Sequence, residues 1–170
     1  MSVLIRLERV SDHDDIRSVS RAAFGGNAES RLVDELRDGG FVCVSLVAEL
    51  DDKVVGYILF SRISIETAAG KINAIALAPM AVLPEYQRQR IGSKLLSVGL
   101  IACRADGHEI VVVLGHPEFY SRFGFSSNLA SGLKSPFGGG EAWMALELVP
   151  GALKDVAGSV EYSATFGVFT

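Results

Sequence analysis

The sequence predicts a mixed α/β fold: a mostly antiparallel central sheet with helices on both faces and one parallel pair, at 72–82 and 109–114. Three observations predict it. Strand patterns at 42–50, 53–63 and 71–82 follow one another with only turn residues between them, which implies an antiparallel meander. One amphipathic helix pattern separates 72–82 from 109–114, and a strand–helix–strand crossover of that length favours parallel pairing. The run Ile75-Ala-Leu-Ala-Pro-Met-Ala-Val82 is apolar on both faces, as a central strand covered by helices should be.

Taken in order, Val3 to Val10 alternates Val3, Ile5, Leu7 against Leu4, Arg6, Glu8 and reads as a half-buried strand. Ser11-Asp-His-Asp-Asp signals a helix start: Ser11 is the expected cap and the acids complement the dipole. His13 in that cluster reads as a solvated first-turn residue. Ile16, Val19, Ser20 and Ala23 mark the buried face up to Gly25-Gly26. A second helix is expected over 29–37, with Leu32, Val33 and Leu36 inward and Gly39-Gly40 closing it. Val42–Leu50 and Lys53–Ile63 form a hairpin about Asp51-Asp52. Gly56 predicts a bulge or close packing, 65–70 a polar loop tip, and Pro79 a bulge or bend.

Apolar residues 91, 95, 98 and 101/102 recur at helical spacing and predict a helix over about 89–104. After Gly107, which follows this helix, comes Glu109-Ile-Val-Val-Val-Leu114, a β-branched buried strand. Glu118 to Phe123 is a short helix ended by Gly124. A Ser- and Gly-rich loop covers 126–140, a strand 141–148, a turn 149–151 and a last strand 160–169. No internal repeat, low-complexity tract or linker interrupts the chain, so 1–170 is expected to be a single domain.

Composition narrows the classes. The 170 residues are 49% hydrophobic with a net charge of −4, which suits a packed core and argues against a general nucleic-acid binder. Cys43 and Cys103 lie in apolar segments and are expected to be buried thiols; two cysteines build neither a disulfide framework nor a four-ligand zinc site, and no metal is expected. No apolar run approaches the roughly 20 residues that span a bilayer. The start of the chain turns charged at Arg6, without a signal-type apolar segment. A cytoplasmic protein without membrane association is expected.

Chemistry is expected at two stretches. Met80-Ala-Val-Leu-Pro-Glu-Tyr-Gln-Arg-Gln-Arg-Ile-Gly-Ser93 runs from the end of a strand through a basic turn into a helix. Free backbone N–H groups and the positive dipole end favour an anion at such a start, and nearby arginines add to the field. A small residue at Gly92 lets a phosphate approach the backbone. A basic turn that merely faces water is the plainer reading. No Gly-x-x-x-x-Gly-Lys-Ser/Thr or Gly-x-Gly-x-x-Gly fingerprint is present, which disfavours other nucleotide-phosphate folds. The other stretch, Leu114 to Phe125, carries His116 and Tyr120. His116 stands at the carboxyl end of a buried strand, where it can serve as a base near neutral pH or be an ordinary hydrogen-bonded loop histidine. Tyr120 is either a proton donor or one more ring beside Phe119, Phe123 and Phe125. Glu118 reads as a dipole-capping residue, and His108 as a solvated turn residue.

Val82-x-Pro84-x-x-Gln87-x-x-Arg90-x-Gly92 resembles the acetyl-CoA signature of the GCN5-related N-acetyltransferases (GNAT), with Arg90 standing where that pattern often has Gly. Tyr120 ahead of Gly124-Phe125 resembles the same family's tyrosine, and Trp143 to Leu153 resembles the tail of its bacterial YhbS-like branch. The resemblance implies the GNAT fold, with the parallel pair splayed. It implies that backbone groups of Met80, Ala81 and Val82 pair with the pantetheine arm. The turn and helix start of Gln87, Arg88, Gln89, Arg90, Ile91, Gly92 and Ser93 would hold the pyrophosphate through N–H groups of 88–93. Tyr120 would protonate the departing CoA thiolate. The implied reaction is acetyl, or short acyl, transfer from acetyl-CoA to a primary amine by direct attack. Val112, Val113 and Leu114 offer no carboxylate, so the base is unassigned. Its absence is the motive for an alternative, a catalytically weak acyl-CoA sensor or interaction module. The acceptor, small molecule or peptide, is not specified by the residues. A homodimer through the C-terminal strands is one option for assembly.

Overall fold

The computed structural model describes residues 2–169. The elements are β1 (Leu4–Leu7), α1 (His13–Phe24), α2 (Ala28–Asp38), β2 (Val42–Leu50), β3 (Lys53–Thr67), β4 (Gly70–Val82), α3 (Ile91–Ala105), β5 (Ile110–Leu114), α4 (Pro117–Tyr120), β6 (Leu133–Lys134), β7 (Trp143–Glu147) and β8 (Gly158–Glu161). Strand order is β1-β2-β3-β4-β5-β7, with β8 pairing β3 and β6. β1 on β2, β3 on β8 and β5 on β7 are antiparallel. β4 and β5 are parallel, as expected, but their ladder covers only Ile75↔Val111 and Ala76↔Val112. The chain divides into two compact units: residues 1–60 with 78–103, and residues 61–77 with 104–170.

In the first unit the pleat of β3 sends alternate side chains to opposite faces. The Tyr57 hydroxyl donates to Ser20 Oγ of α1 at 3.4 Å, while Phe60 lies against Gly99 of α3. Helices therefore cover both faces. Burial raises the Tyr57 phenol pKa, with the Ser20 bond opposing it. Gly56 is there for close packing and not for a bulge: a Cβ would fall 3.0 Å from the Ala81 carbonyl oxygen and 3.3 Å from Leu95 Cδ1. The β2–β3 turn places Asp51 at φ 50° and Asp52 at φ 62°, the pair of left-handed residues that a two-residue hairpin needs. β4 runs unbroken through a cis Ala78–Pro79 peptide.

Three local expectations need correction here. β1 stops at Leu7, because Glu8 turns inward as the hub of a polar cluster. Its carboxylate accepts from Arg37 (2.9 Å) and Ser45 (2.5 Å) and meets His13 at 3.2 Å. Burial pushes the Glu8 pKa up, but the Arg37 and Ser45 bonds outweigh it and hold it below the usual range. His13 is therefore a half-buried hydrogen-bond partner of Glu8 and not a solvated residue. Ser11 caps nothing; a 3-10 turn over Val10–Asp12 leads into α1. Asp12 accepts from Arg9 N–H at 2.6 Å and from Arg6 at 2.8 Å.

The second unit packs one apolar cluster, including Ile63, Ile65, Ala76, Val112, Trp143 and Val160, with the 126–140 loop folded onto it through Ala130 and Leu133. Trp143 Nε1–H donates to the Leu133 carbonyl at 3.0 Å, so the buried indole keeps its polar contact. The expected last strand over 160–169 is also corrected. β8 ends at Glu161, and a 3-10 segment follows over Ala164–Phe169. Tyr162 and Phe166 stack at 4.7 Å, with Phe137 4.8 Å from Tyr162. Aromatic packing there replaces ladder pairing.

Candidate functional site

The first site element lies within the first unit. β4 ends at Val82, with Met80 and Val82 half-buried and Ala81 buried. Leu83 N–H donates to the Val55 carbonyl at 2.8 Å, and Pro84–Tyr86 makes one 3-10 turn. Gln87, Arg88, Gln89 and Arg90 are all exposed. Arg88 and Arg90 stand at φ 64° and 65°. Two left-handed residues cannot belong to a right-handed helix, so α3 starts at Ile91 and not at 89. Arg90 therefore has a backbone that glycine would adopt without strain. Such strain costs on the order of 1–3 kcal/mol per residue and collects at ligand-binding turns.

The first bond of α3 runs from Lys94 N–H to the Arg90 carbonyl, 3.0 Å. The N–H groups of Ile91, Gly92 and Ser93 thus have no acceptor within the helix. Arg88 and Arg90 make no ion pair among the described residues. Three donors without an intrahelical acceptor, a dipole end and two guanidinium groups without an ion pair among the described residues make an anion seat. Gln87 has a different job: its Nε2–H donates to the Val82 carbonyl at 3.0 Å, fastening the turn to the strand end. Gln89 reaches the Glu85 carbonyl at 3.4 Å. Beside the helix start an open groove is lined by Val3, Ile5, Arg90, Ser93, Lys94, Ser97 and Val98. Sequence reasoning missed the part in it of Val3, and of Ile5 in β1, since nothing local in either signals a long-range neighbour.

The second site element lies within the second unit. β5 ends at Leu114, which is paired with Trp143. Gly115 N–H donates to the Ala142 carbonyl at 3.0 Å, and the His116 carbonyl accepts from both Phe119 and Tyr120 N–H at 3.1 Å. Tyr120 is 8% exposed. Phe119 meets its ring edge-on at 5.0 Å and Phe125 at 5.6 Å. Burial raises its pKa to about 12, and no hydrogen bond contributes. Among the described residues its hydroxyl has no partner, yet it is not sealed off from solvent. It is a protonated phenol at neutral pH with its hydrogen-bonding capacity unused. The His116 side chain is exposed, and His116 and Tyr120 share one turn. Arg122 stacks over Phe119 at 5.0 Å and Phe123 at 6.0 Å. Among the described residues no three His, Cys, Asp or Glu side chains converge as metal ligands, and no helix is long and apolar enough to cross a membrane.

Comparison with known proteins agrees with this geometry. Residues 42–127 match the acetyltransferase (GNAT) domain family. The chain is 36% identical over 169 residues to the N-acetyltransferase YhbS of Escherichia coli strain K12, covering 98% of this chain and 100% of that one. The crystal structure of E. coli YhbS in complex with CoA superposes with a TM-score of 0.91 at 35% identity, over 99% of this chain and 93% of that one. A GNAT family acetyltransferase from Brucella melitensis, in complex with acetyl-CoA, gives a TM-score of 0.81 at 34% identity, over 97% and 98% of the two chains.

Proposed function

The chain belongs to the GNAT N-acetyltransferase family, and on that footing we propose that it transfers an acetyl group from acetyl-CoA to a primary amine by direct attack. The observation that carries the reading is the helix start at 91–93, with three N–H donors free of intrahelical acceptors beside two unpaired arginines. Two relatives of about one-third identity hold CoA or acetyl-CoA. The seat at Arg88 to Ser93 receives the pyrophosphate, and the backbone of Met80, Ala81 and Val82 pairs with the pantetheine arm. The whole of 1–170 acts as one catalytic domain, in the cytoplasm, on an amine-bearing small molecule or peptide.

In the reaction the amine nitrogen forms a bond to the thioester carbonyl carbon and the carbon–sulfur bond breaks. The departing sulfur takes a proton, and the nitrogen sheds one. Tyr120 supplies the first of these. A phenol near 12 is a weaker acid than a thiol, whose pKa is about 8.5. Outright transfer of the phenol proton to the freed thiolate would therefore run uphill. Tyr120 works by hydrogen-bonding the sulfur and sharing its proton as the carbon–sulfur bond lengthens, and the proton shed by nitrogen replaces it. His116, exposed on the same turn, relays that proton: it accepts it from nitrogen, directly or through water, and gives it up to the Tyr120 oxygen through water. No cysteine lies in either site stretch, so a covalent acyl-enzyme has no thiol nucleophile there.

The test mixes the protein with acetyl-CoA and a panel of amines, polyamines and peptides while free thiol is followed. Amine-dependent thiol release is expected. Calorimetric binding of acetyl-CoA without thiol release across the panel would instead make the chain an acyl-CoA sensor.

A further inference from the structure

We infer that Gly115 is the positioning residue for Tyr120, and that its missing side chain sets where the phenol hydroxyl stands. The inference rests on the reading of Tyr120 as proton donor. Gly115 does not have a left-handed φ, unlike Gly107 and Gly124 on either side of it in sequence. Its backbone does not require glycine. What requires it is the ring: a Cβ at 115 would lie 2.5 Å from Tyr120 Cε2, 3.0 Å from Cδ2 and 3.4 Å from Cζ. Ordinary carbon–carbon contact is about 3.5–4.0 Å, so alanine would push the ring by about 1 Å at its hydroxyl-bearing end.

The ring has little room to move without cost. Phe119 meets it edge-on on one side and Phe125 on another, and its N–H is fixed to the His116 carbonyl. Gly115 is itself tied to β7 by the bond to the Ala142 carbonyl. The turn and the ring are therefore held independently, and the gap between them is the width of one hydrogen atom in place of a methyl group. A misplacement of about 1 Å costs up to about 10²-fold in rate. Acetyl-CoA binding, which is assigned to residues 80–93, is left alone.

Gly115→Ala is therefore expected to lower kcat about 10- to 100-fold while the Kd for acetyl-CoA stays within about 3-fold. In a Tyr120→Phe background, where no hydroxyl remains to misplace, Gly115→Ala should lower kcat no further. Normal turnover by Gly115→Ala, with Tyr120→Phe slow, overturns the positioning role and spares the donor. Normal turnover by Tyr120→Phe overturns the donor reading. A second readout does not depend on catalysis: Gly115→Ala should lower Tm in the wild-type background and not in Tyr120→Ala, where the ring is gone. An equal drop in both backgrounds, or failure of both to fold, overturns the contact as the reason for glycine.

Discussion

Residues 80–93 offer backbone, whereas residues 114–125 offer one side chain. In the first stretch the side chains of Gln87 and Gln89 are spent on main-chain carbonyls of the same turn, and the groups left unused are N–H donors at the start of α3. In the second, the Gly115 N–H and the His116 carbonyl are engaged, and the buried side chain whose polar atom is left unused is Tyr120. The difference separates binding from chemistry. An anion seat built of N–H groups tolerates many side chains as long as the turn keeps its shape. A proton donor tolerates no change of side chain but needs only a few supports.

This contrast sets the expected order of mutational effects. The largest belongs to Tyr120→Phe, which removes the donor and keeps the ring. We expect kcat to fall by about 10²-fold or more, with acetyl-CoA affinity nearly unchanged, measured by steady-state kinetics and calorimetry. An unchanged kcat would take Tyr120 out of the reaction. Next is Ser93→Pro, in the first turn of α3, where proline is tolerated but has no N–H. Loss of one bond to a charged group, at about 1.5–3 kcal/mol, should weaken acetyl-CoA binding by about 10-fold or more. Ser93→Ala keeps the N–H and should change the Kd by less than about 3-fold. Equal effects from the two would place the recognition in the hydroxyl and not in the backbone.

Smaller again is Arg88→Ala. An exposed cation near an anion contributes about 0.3–1 kcal/mol at low salt, so we expect a 2- to 5-fold rise in Kd that fades as salt is added. The smallest effect is on stability. Arg90→Gly removes a left-handed penalty of about 1–2 kcal/mol and adds the chain entropy of glycine, about 0.5–1 kcal/mol. Its Tm should stay level or rise by a few degrees, and a clear fall would mean that the Arg90 side chain is structural. The pH dependence sharpens the second region in the same way. Burial raises the Tyr120 pKa to about 12, so the donor stays protonated where an ordinary tyrosine, near 10, would ionise. The kcat profile should show no alkaline loss that Tyr120→Phe abolishes below about pH 11.

Much of this was legible in the sequence because it is local. The α3 periodicity, the Asp51-Asp52 hairpin and the apolar β4 run each announce themselves within a dozen residues. So do Val82 to Ser93 and Tyr120 with Gly124-Phe125, the stretches that carry the family resemblance. Two of the misreadings, at β1 and at Tyr162, turn on a partner distant in sequence. β1 ends early because Arg37, 29 residues from Glu8, and Ser45, 37 residues away, capture the Glu8 carboxylate. Ser11 loses its capping role because Arg6 and the Arg9 N–H engage Asp12 instead. Tyr162 and Phe166 alternate well enough for a strand, yet Phe137 recruits Tyr162 into a stack. The role of Gly115 is hidden although its partner is near in sequence: a glycine closing a strand looks ordinary until the Tyr120 ring is seen beside it.

The separation of binding from chemistry is tested most directly by the Tyr120→Phe/Ser93→Pro double variant, read as kcat/KM with acetyl-CoA varied. Groups that act independently give free-energy changes that add, within about 0.5 kcal/mol. The account predicts a loss in the double variant equal to the product of the two single losses, within about 3-fold. A double variant no worse than Tyr120→Phe alone would contradict it, because the helix start and the phenol would then be acting as one unit.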